Sequence, residues 1–328
     1  MDRGRRILVA AIGAGAMAAS LSVRGQQPTK SPARIGVLAA GAPENARALE
    51  PFRRRMRELG YVEGKSVAYE MRFAHGQFDR LPALAKELVA LPVDVIYATS
   101  AQPAMAARAA TSSIPIVFSG VSDPVTIGLA ESLARPGGNA TGVSLLALDT
   151  APKHVELLRI AVPKLSRVAM LLNPAERTSA TPMALFAETA RAVGIQALAF
   201  EASTPAEIDA AFARMAGEQV EAVYLSTILS FLERHRIAEL SIKHRIPASA
   251  SFREFVEAGG LMSYGSILAE RLEHLATYVD RILRGARPAE MPIEQPTKLH
   301  LAINLKTAKA LGIAIPPSLR LRADEVIE

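Results

Sequence analysis

A chain of 328 residues, half of them hydrophobic, is long enough to bury two ordinary α/β cores at ~150 residues per domain. It has no cysteine, which excludes disulfides, thiolate metal sites and a lipid anchor on cysteine. The formal charge of +6 falls to +3 once residues 1–25, with four arginines and one aspartate, are set aside, and no basic run interleaved with aromatics suggests a nucleic-acid partner.

The N-terminus comes first. Asp2-Arg3-Gly4-Arg5-Arg6 is a basic opening, residues 7–21 are apolar and small, and Val23-Arg24-Gly25 offers a cleavage site. A membrane span needs ~20 apolar residues, so this pattern predicts a signal peptide over 1–25 and a mature chain free in the periplasm. Arg5-Arg6 also permits twin-arginine export.

Strands and helices then alternate. A strand is predicted over 35–40, and Leu49, Phe52, Met56 and Leu59 fall at helical spacing with arginines between them. The next strand covers 66–73, followed by a helix capped by Asp79 with Pro82 in its first turn, and by a strand over 93–99. Strands separated by helices imply right-handed crossovers and a parallel sheet.

The stretch 113–144 is the most informative. Ile114-Pro115-Ile116-Val117-Phe118 suits a strand buried on both faces, and Ser119-Gly120-Val121-Ser122-Asp123-Pro124 is the loop it presents. In open α/β sheets ligands bind in the crevice beyond the carboxyl ends of the strands, so this loop is a candidate site. A short helix over 125–134, a breaker cluster Arg135-Pro136-Gly137-Gly138-Asn139 and a strand at 141–144 complete it.

The element order then begins again. Strand candidates at 34, 66, 94 and 113 have counterparts at 167, 196, 221 and 245, a repetition of order rather than of identity. Helices are predicted over 182–193, over 205–215 after a Ser203-Thr204 cap, over 231–244, and over 268–283 with Leu272, Leu275, Val279 and Leu283 on one face. A polar, proline-rich tail ends the chain. The six histidines are scattered without metal spacing and read as surface residues; no G-x-S-x-G elbow and no phosphate-cradling loop appear, which argues against an enzyme.

Several segments carry a resemblance. They include Glu58-Leu59-Gly60-Tyr61, Ile114-Pro115-Ile116-Val117-Phe118, Asp123-Pro124-Val125, Ser132-Leu133-Ala134-Arg135-Pro136-Gly137-Gly138-Asn139, Gly259-Gly260-Leu261-Met262-Ser263-Tyr264-Gly265, Ile303-Asn304-Leu305-Lys306-Thr307 and Ala323-Asp324-Glu325-Val326-Ile327. Together they make the chain similar to the ABC transporter substrate-binding protein family with TrpX-like members, over essentially the whole mature length. The resemblance implies an α/β fold of periplasmic binding protein type I: two Rossmann-like lobes with parallel sheets flanked by helices, joined by three crossings. It divides the chain into a first lobe of 33–144 plus 266–287 and a second of 145–265 plus 288–328, with Gly142, Val143, Ser144 and Gly265 at the hinge.

The strand-end loops then nominate the ligand contacts: Ser100, Ala101, Gln102, Ser119, Asp123 and Pro124 from the first lobe, and Asn173, Ser226, Thr227, Ser251 and Tyr264 from the second. Asp123 beside two hydroxyls suits an ammonium or hydroxyl partner, but Asp before Pro124 is also an ordinary turn residue. Ser100 and Ser119 are equally able to cap helices, and Tyr264 to pack a hinge. Many relatives hold an aspartate where this chain has Ser226-Thr227-Ile228-Leu229, which counts against an α-amino group; Ile228, Leu229 and Phe231 leave room for an aromatic or aliphatic solute. The expectation is a monomeric periplasmic solute-binding protein, without cofactor or metal, that hands a small amino-acid-like, aromatic or carboxylate solute to an ABC permease in the inner membrane. The alternative is a binding protein reporting to a membrane sensor.

Overall fold

Two parallel arrays of strands, built in the same order, account for the repetition in the sequence. A computed structural model describes residues 32–176 and 180–328; the signal peptide expected at 1–25 lies outside them. In the first array β1 (Ala33–Ala39), α1 (Glu50–Glu58), β2 (Val67–Phe73), α2 (Leu81–Val89), β3 (Val95–Ala98), α3 (Ala101–Ala110), β4 (Ile116–Val121) and β5 (Ala140–Ser144) form a parallel sheet of order β2-β1-β3-β4-β5. The second array runs α4 (Ala147–Ala161), β6 (Arg167–Leu172), α5 (Ala180–Ala192), β7 (Gln196–Glu201), α6 (Pro205–Gly217), β8 (Ala222–Leu225), α7 (Thr227–Leu232), α8 (Arg234–His244), β9 (Ala248–Ala250), α9 (Arg253–Glu257) and β10 (Met262–Gly265). Its strands pair in the order β7-β6-β8-β9-β10, the first sheet's order repeated.

Each sheet is covered on both faces, as continuous apolar strands require. Ile35, Val37, Val95, Tyr97 and Val117 face α1, while Leu38, Ile96, Ala98, Ile116 and Phe118 face α2 and α3. The chain leaves the second lobe after β10, and α10 (Leu268–Leu283) packs Leu272, Leu275, Tyr278 and Val279 beside Phe52 and Met56 on the first sheet.

The return crossing comes later than expected. Met291 and Ile293 are buried in the first lobe's core, and residue 294 is tied to β5: Glu294 N–H donates to Gly142 O at 3.1 Å and Ser144 N–H to Glu294 O at 2.9 Å. Residues 288–294 therefore belong with the first lobe, correcting the boundary at 288. Gly142 and Val143 are interior to β5, Ser144 ends it and Gly265 ends β10, so the chain passes between lobes just beyond them. Gly142 permits a close approach: a Cβ there would lie 2.1 Å from Phe118 O.

The tail is structured. β11 (His300–Asn304), α11 (Leu305–Leu311), α12 (Pro317–Arg320) and β12 (Glu325–Ile327) extend the second sheet, with Leu301 and Ile303 in its core. β11 runs antiparallel to β10 because it enters from the opposite lobe, so this sheet is mixed rather than wholly parallel. Asn304 caps α11, its Oδ1 accepting Thr307 N–H at 3.0 Å.

Local expectations fail in three further places. Residues 125–134 form turns, because Leu129 and Ala130 both donate back to Pro124 O and Ser132 Oγ takes Arg135 N–H. Asp79 sits within a 3-10 turn and caps nothing; α2 follows it directly. The helix expected over 231–244 breaks at Glu233, where Arg234 Nη1 binds Phe231 O at 2.6 Å. Thr204 does cap α6, reciprocally with Glu207.

Candidate functional site

Repeated strand order gives each sheet a point where successive connections diverge to opposite sides, between β1 and β3 in the first and between β6 and β8 in the second. Ligand crevices open at such points. A cavity lies there, lined by Ala39 at the end of β1, Ala40 and Gly41 after it, by Thr99 and Ser100 after β3, and by Ser119 and Gly120 of β4. The second lobe closes it with Thr227, Ile228, Phe231 and Leu232 of α7 and with Phe252, and α10 adds Leu268, Arg271 and Leu272.

The lobes meet around the cavity. Gln102 Nε2 donates to Ala175 O at 3.0 Å, and a Cβ on Gly41 would lie 2.9 Å from Leu232 Cδ2. Phe78 packs against both the first lobe's core and the second's. The conformation is closed.

Three of the residues nominated from sequence line the cavity: Ser100, Ser119 and Thr227. Ser100 occupies the N-cap of α3, yet its hydroxyl caps nothing and is buried without a partner. Ser119 Oγ lies 2.9 Å from the Tyr97 hydroxyl, whose burial pushes the phenol up to about 12. Gly120 has φ +68°, and a Cβ there would sit 3.0 Å from Thr99 O, so a side chain would push the two loops apart.

The others fall elsewhere. Asp123 acts in its own turn, Oδ1 accepting Thr126 N–H at 3.0 Å, and neither it nor Pro124 lines the cavity. Ala101 is buried at the start of α3, and Gln102 spans the lobes rather than lining the cavity. Asn173 Oδ1 accepts Ala175 N–H at 3.0 Å within its own loop. Ser226 is the buried N-cap of α7, and Ser251 lines a smaller cavity at the crossings with Thr150, Gly265 and Ser266. Tyr264 packs edge-on to His154 with ring centres 6.1 Å apart. His154 is itself fully buried, its ring 4.4 Å from that of Tyr224 and its Nδ1 2.7 Å from Ser249 Oγ, so it is no surface histidine. Burial pushes it down to about 3, and it is neutral at physiological pH.

Sequence reading missed the strongest polar group. Arg271 is 4% exposed, donates through Nη1 to Ser266 Oγ at 2.7 Å, and lies with Cζ 5.5 Å from the Phe252 ring centre. Its Nε is buried without a partner, and burial pushes the group down to about 10. The signal was available: Arg271 stands on the stripe Leu268, Leu272, Leu275, Val279, where a helix packed on a sheet carries apolar residues. Tyr97 and Phe73 were read only as strand residues.

The family model for ABC transporter substrate binding proteins matches residues 43–327. The chain belongs to that family. Its members work outside the cytoplasm as solute-binding components, not as enzymes, and among the described residues no helix is long and apolar enough to cross a membrane. A tyrosine-binding protein of Clostridioides difficile (strain R20291) is 28% identical over 289 residues, 87% of this chain and 80% of that one. A conserved domain protein from Vibrio cholerae superposes with a TM-score of 0.84 at 27% identity, covering 90% of this chain and 99% of that one. The structure of an ABC domain in complex with L-Trp from Streptococcus pneumonia gives 0.82 at 27% identity, with 90% and 100% covered.

Proposed function

We propose that the protein is exported to the periplasm as a monomer, binds a small solute bearing an apolar, ring-sized body in the cavity between its lobes, and delivers it to an ABC permease of the inner membrane. The observation that carries this reading is the cavity itself: walled from both lobes, apolar around Phe73, Phe231, Leu232 and Phe252, and provided with a few inward polar groups that fix orientation. A solute held between two lobes favours the closed form because it contacts both only there. The relatives named for tyrosine and solved with L-Trp support a ring-bearing solute. Gly142 to Ser144 and Gly265, beside the crossings, are proposed to absorb the opening motion.

The test is a thermal-shift screen of the exported chain against amino acids, aromatic acids, aliphatic carboxylates and sugars, followed by uptake of the best solute in cells lacking the gene. A solute that binds only the folded chain raises its melting temperature. Loss of uptake on deletion supports import; uptake that persists unchanged refutes it.

A further inference from the structure

Among the described residues, the cavity wall carries one full charge. Its polar side chains are Asn45, Tyr97, Ser100, Ser119, Thr227 and Arg271, together with Thr99, and among the described residues no aspartate or glutamate lines it. Arg271 presents five N–H donors in a fixed fork, of which the structure uses Nη1 toward Ser266, while Nε is buried without a partner. Glu254 acts on Arg271 electrostatically but makes no hydrogen bond to it and stands outside the wall. An unpaired guanidinium so deeply buried is costly, and a carboxylate is the group whose geometry satisfies it. Phe252 lies over the guanidinium, and Phe73, Phe231, Leu268 and Leu272 surround the remaining volume.

An ammonium has no counterpart among the described residues of the wall. Placed in this cavity it would lose its water and face a like charge, while the buried acid Glu176 stands outside the wall and accepts Ile228 N–H at 3.3 Å. We propose that the solute is an organic monoanion, a carboxylate on an aryl or alkyl body without an α-ammonium group, held by the Arg271 guanidinium. Arg271 is thus the residue that separates aromatic acids from aromatic amino acids. This assignment rests on the cavity being the solute site.

The experiment titrates the exported chain calorimetrically with 3-phenylpropanoate, L-phenylalanine and 3-phenylpropanamide, and repeats it with Arg271→Met, Arg271→Lys and Phe231→Ala, each checked for cooperative melting. The acid is expected to bind at least ten-fold more tightly than either the amino acid or the amide. Arg271→Met is expected to abolish that preference, and Arg271→Lys to keep part of it as a charge without the fork. The assignment is overturned if L-phenylalanine matches or exceeds the acid, if Arg271→Met leaves the acid's affinity unchanged, or if none of phenylpropanoate, benzoate and hexanoate binds. The two readings fail separately. A solute weakened by Phe231→Ala but indifferent to Arg271→Met leaves the cleft reading intact and removes the anion; one indifferent to both removes the cleft.

Discussion

Replacing Arg271 by Met is expected to stabilise the solute-free protein, the reverse of the usual effect of a buried substitution. The guanidinium is pushed down to about 10 by burial, and a tenfold change in a proton equilibrium is about 1.4 kcal/mol, so the folded state carries a cost on the order of 3 kcal/mol. Two contacts offset it: the Ser266 hydrogen bond, worth ~1 kcal/mol, and the stacking over Phe252, of similar size. Methionine fills comparable volume without charge, which leaves a net gain of ~1 kcal/mol and a rise in Tm of ~2–4 °C for a chain of this length. The pH dependence has a definite sign. Below about 10 the group is protonated in folded and unfolded chains alike, so the gain is flat through neutrality; above it the folded wild type sheds the proton, its cost is relieved, and the difference shrinks. Urea unfolding of both proteins without solute, at pH 7 and pH 11, reads this directly. A variant less stable by more than ~1 kcal/mol would show that Glu254 effectively neutralises Arg271, and the argument for a solute anion would lose its energetic basis.

Three further outcomes follow from the same structure. Because His154 is buried neutral and pushed down to about 3, an unfolded chain takes up its proton first as pH falls below about 6.5; wild type is expected to lose on the order of 2–3 kcal/mol between pH 7 and pH 4.5 through this group, and His154→Gln to lose that much less in paired urea titrations. Equal losses would assign the acid sensitivity to carboxylates. Gly142→Val places a Cβ 2.1 Å from Phe118 O, between two paired backbones, and is expected to cost ~3 kcal/mol or more; a urea midpoint within ~1 kcal/mol of wild type would mean β4 and β5 part easily. Asp123→Ala removes the acceptor of Thr126 N–H, with an expected cost of ~1 kcal/mol and unchanged solute affinity by calorimetry; a tenfold loss of affinity would return Asp123 to the site.

The fold was legible because its determinants are local and repeat. Runs such as Ile114 to Phe118 have the length and branching of buried parallel strands, and α10 was bounded correctly by its apolar spacing alone. The tail was misread because β11 and β12 are stabilised by pairing with a sheet edge completed far earlier in the chain. Asp123 shows the same limit at the site: a carboxylate in a strand-end loop either faces the crevice or turns back to its own backbone, and the Thr126 N–H three residues on decides for the turn.

Arg271 marks where sequence reading stopped. Its charge breaks an apolar stripe, which is a detectable conflict between local pattern and global fold, and such conflicts concentrate at functional sites. What the sequence did not disclose is the company it keeps. Phe252, whose ring lies over the guanidinium, precedes α9 in the second lobe, whereas α10 packs on the first, so the cation is sheltered by a residue of one lobe and carried by a helix of the other. On the proposed hinge motion, opening the lobes would separate that pair and return the guanidinium to water. The closed form therefore carries the desolvation cost that a bound anion would relieve. On the proposal of an anionic solute, the charge would be neutralised only where the lobes meet, so its differential affinity for the closed state would arise from the same residue that selects it.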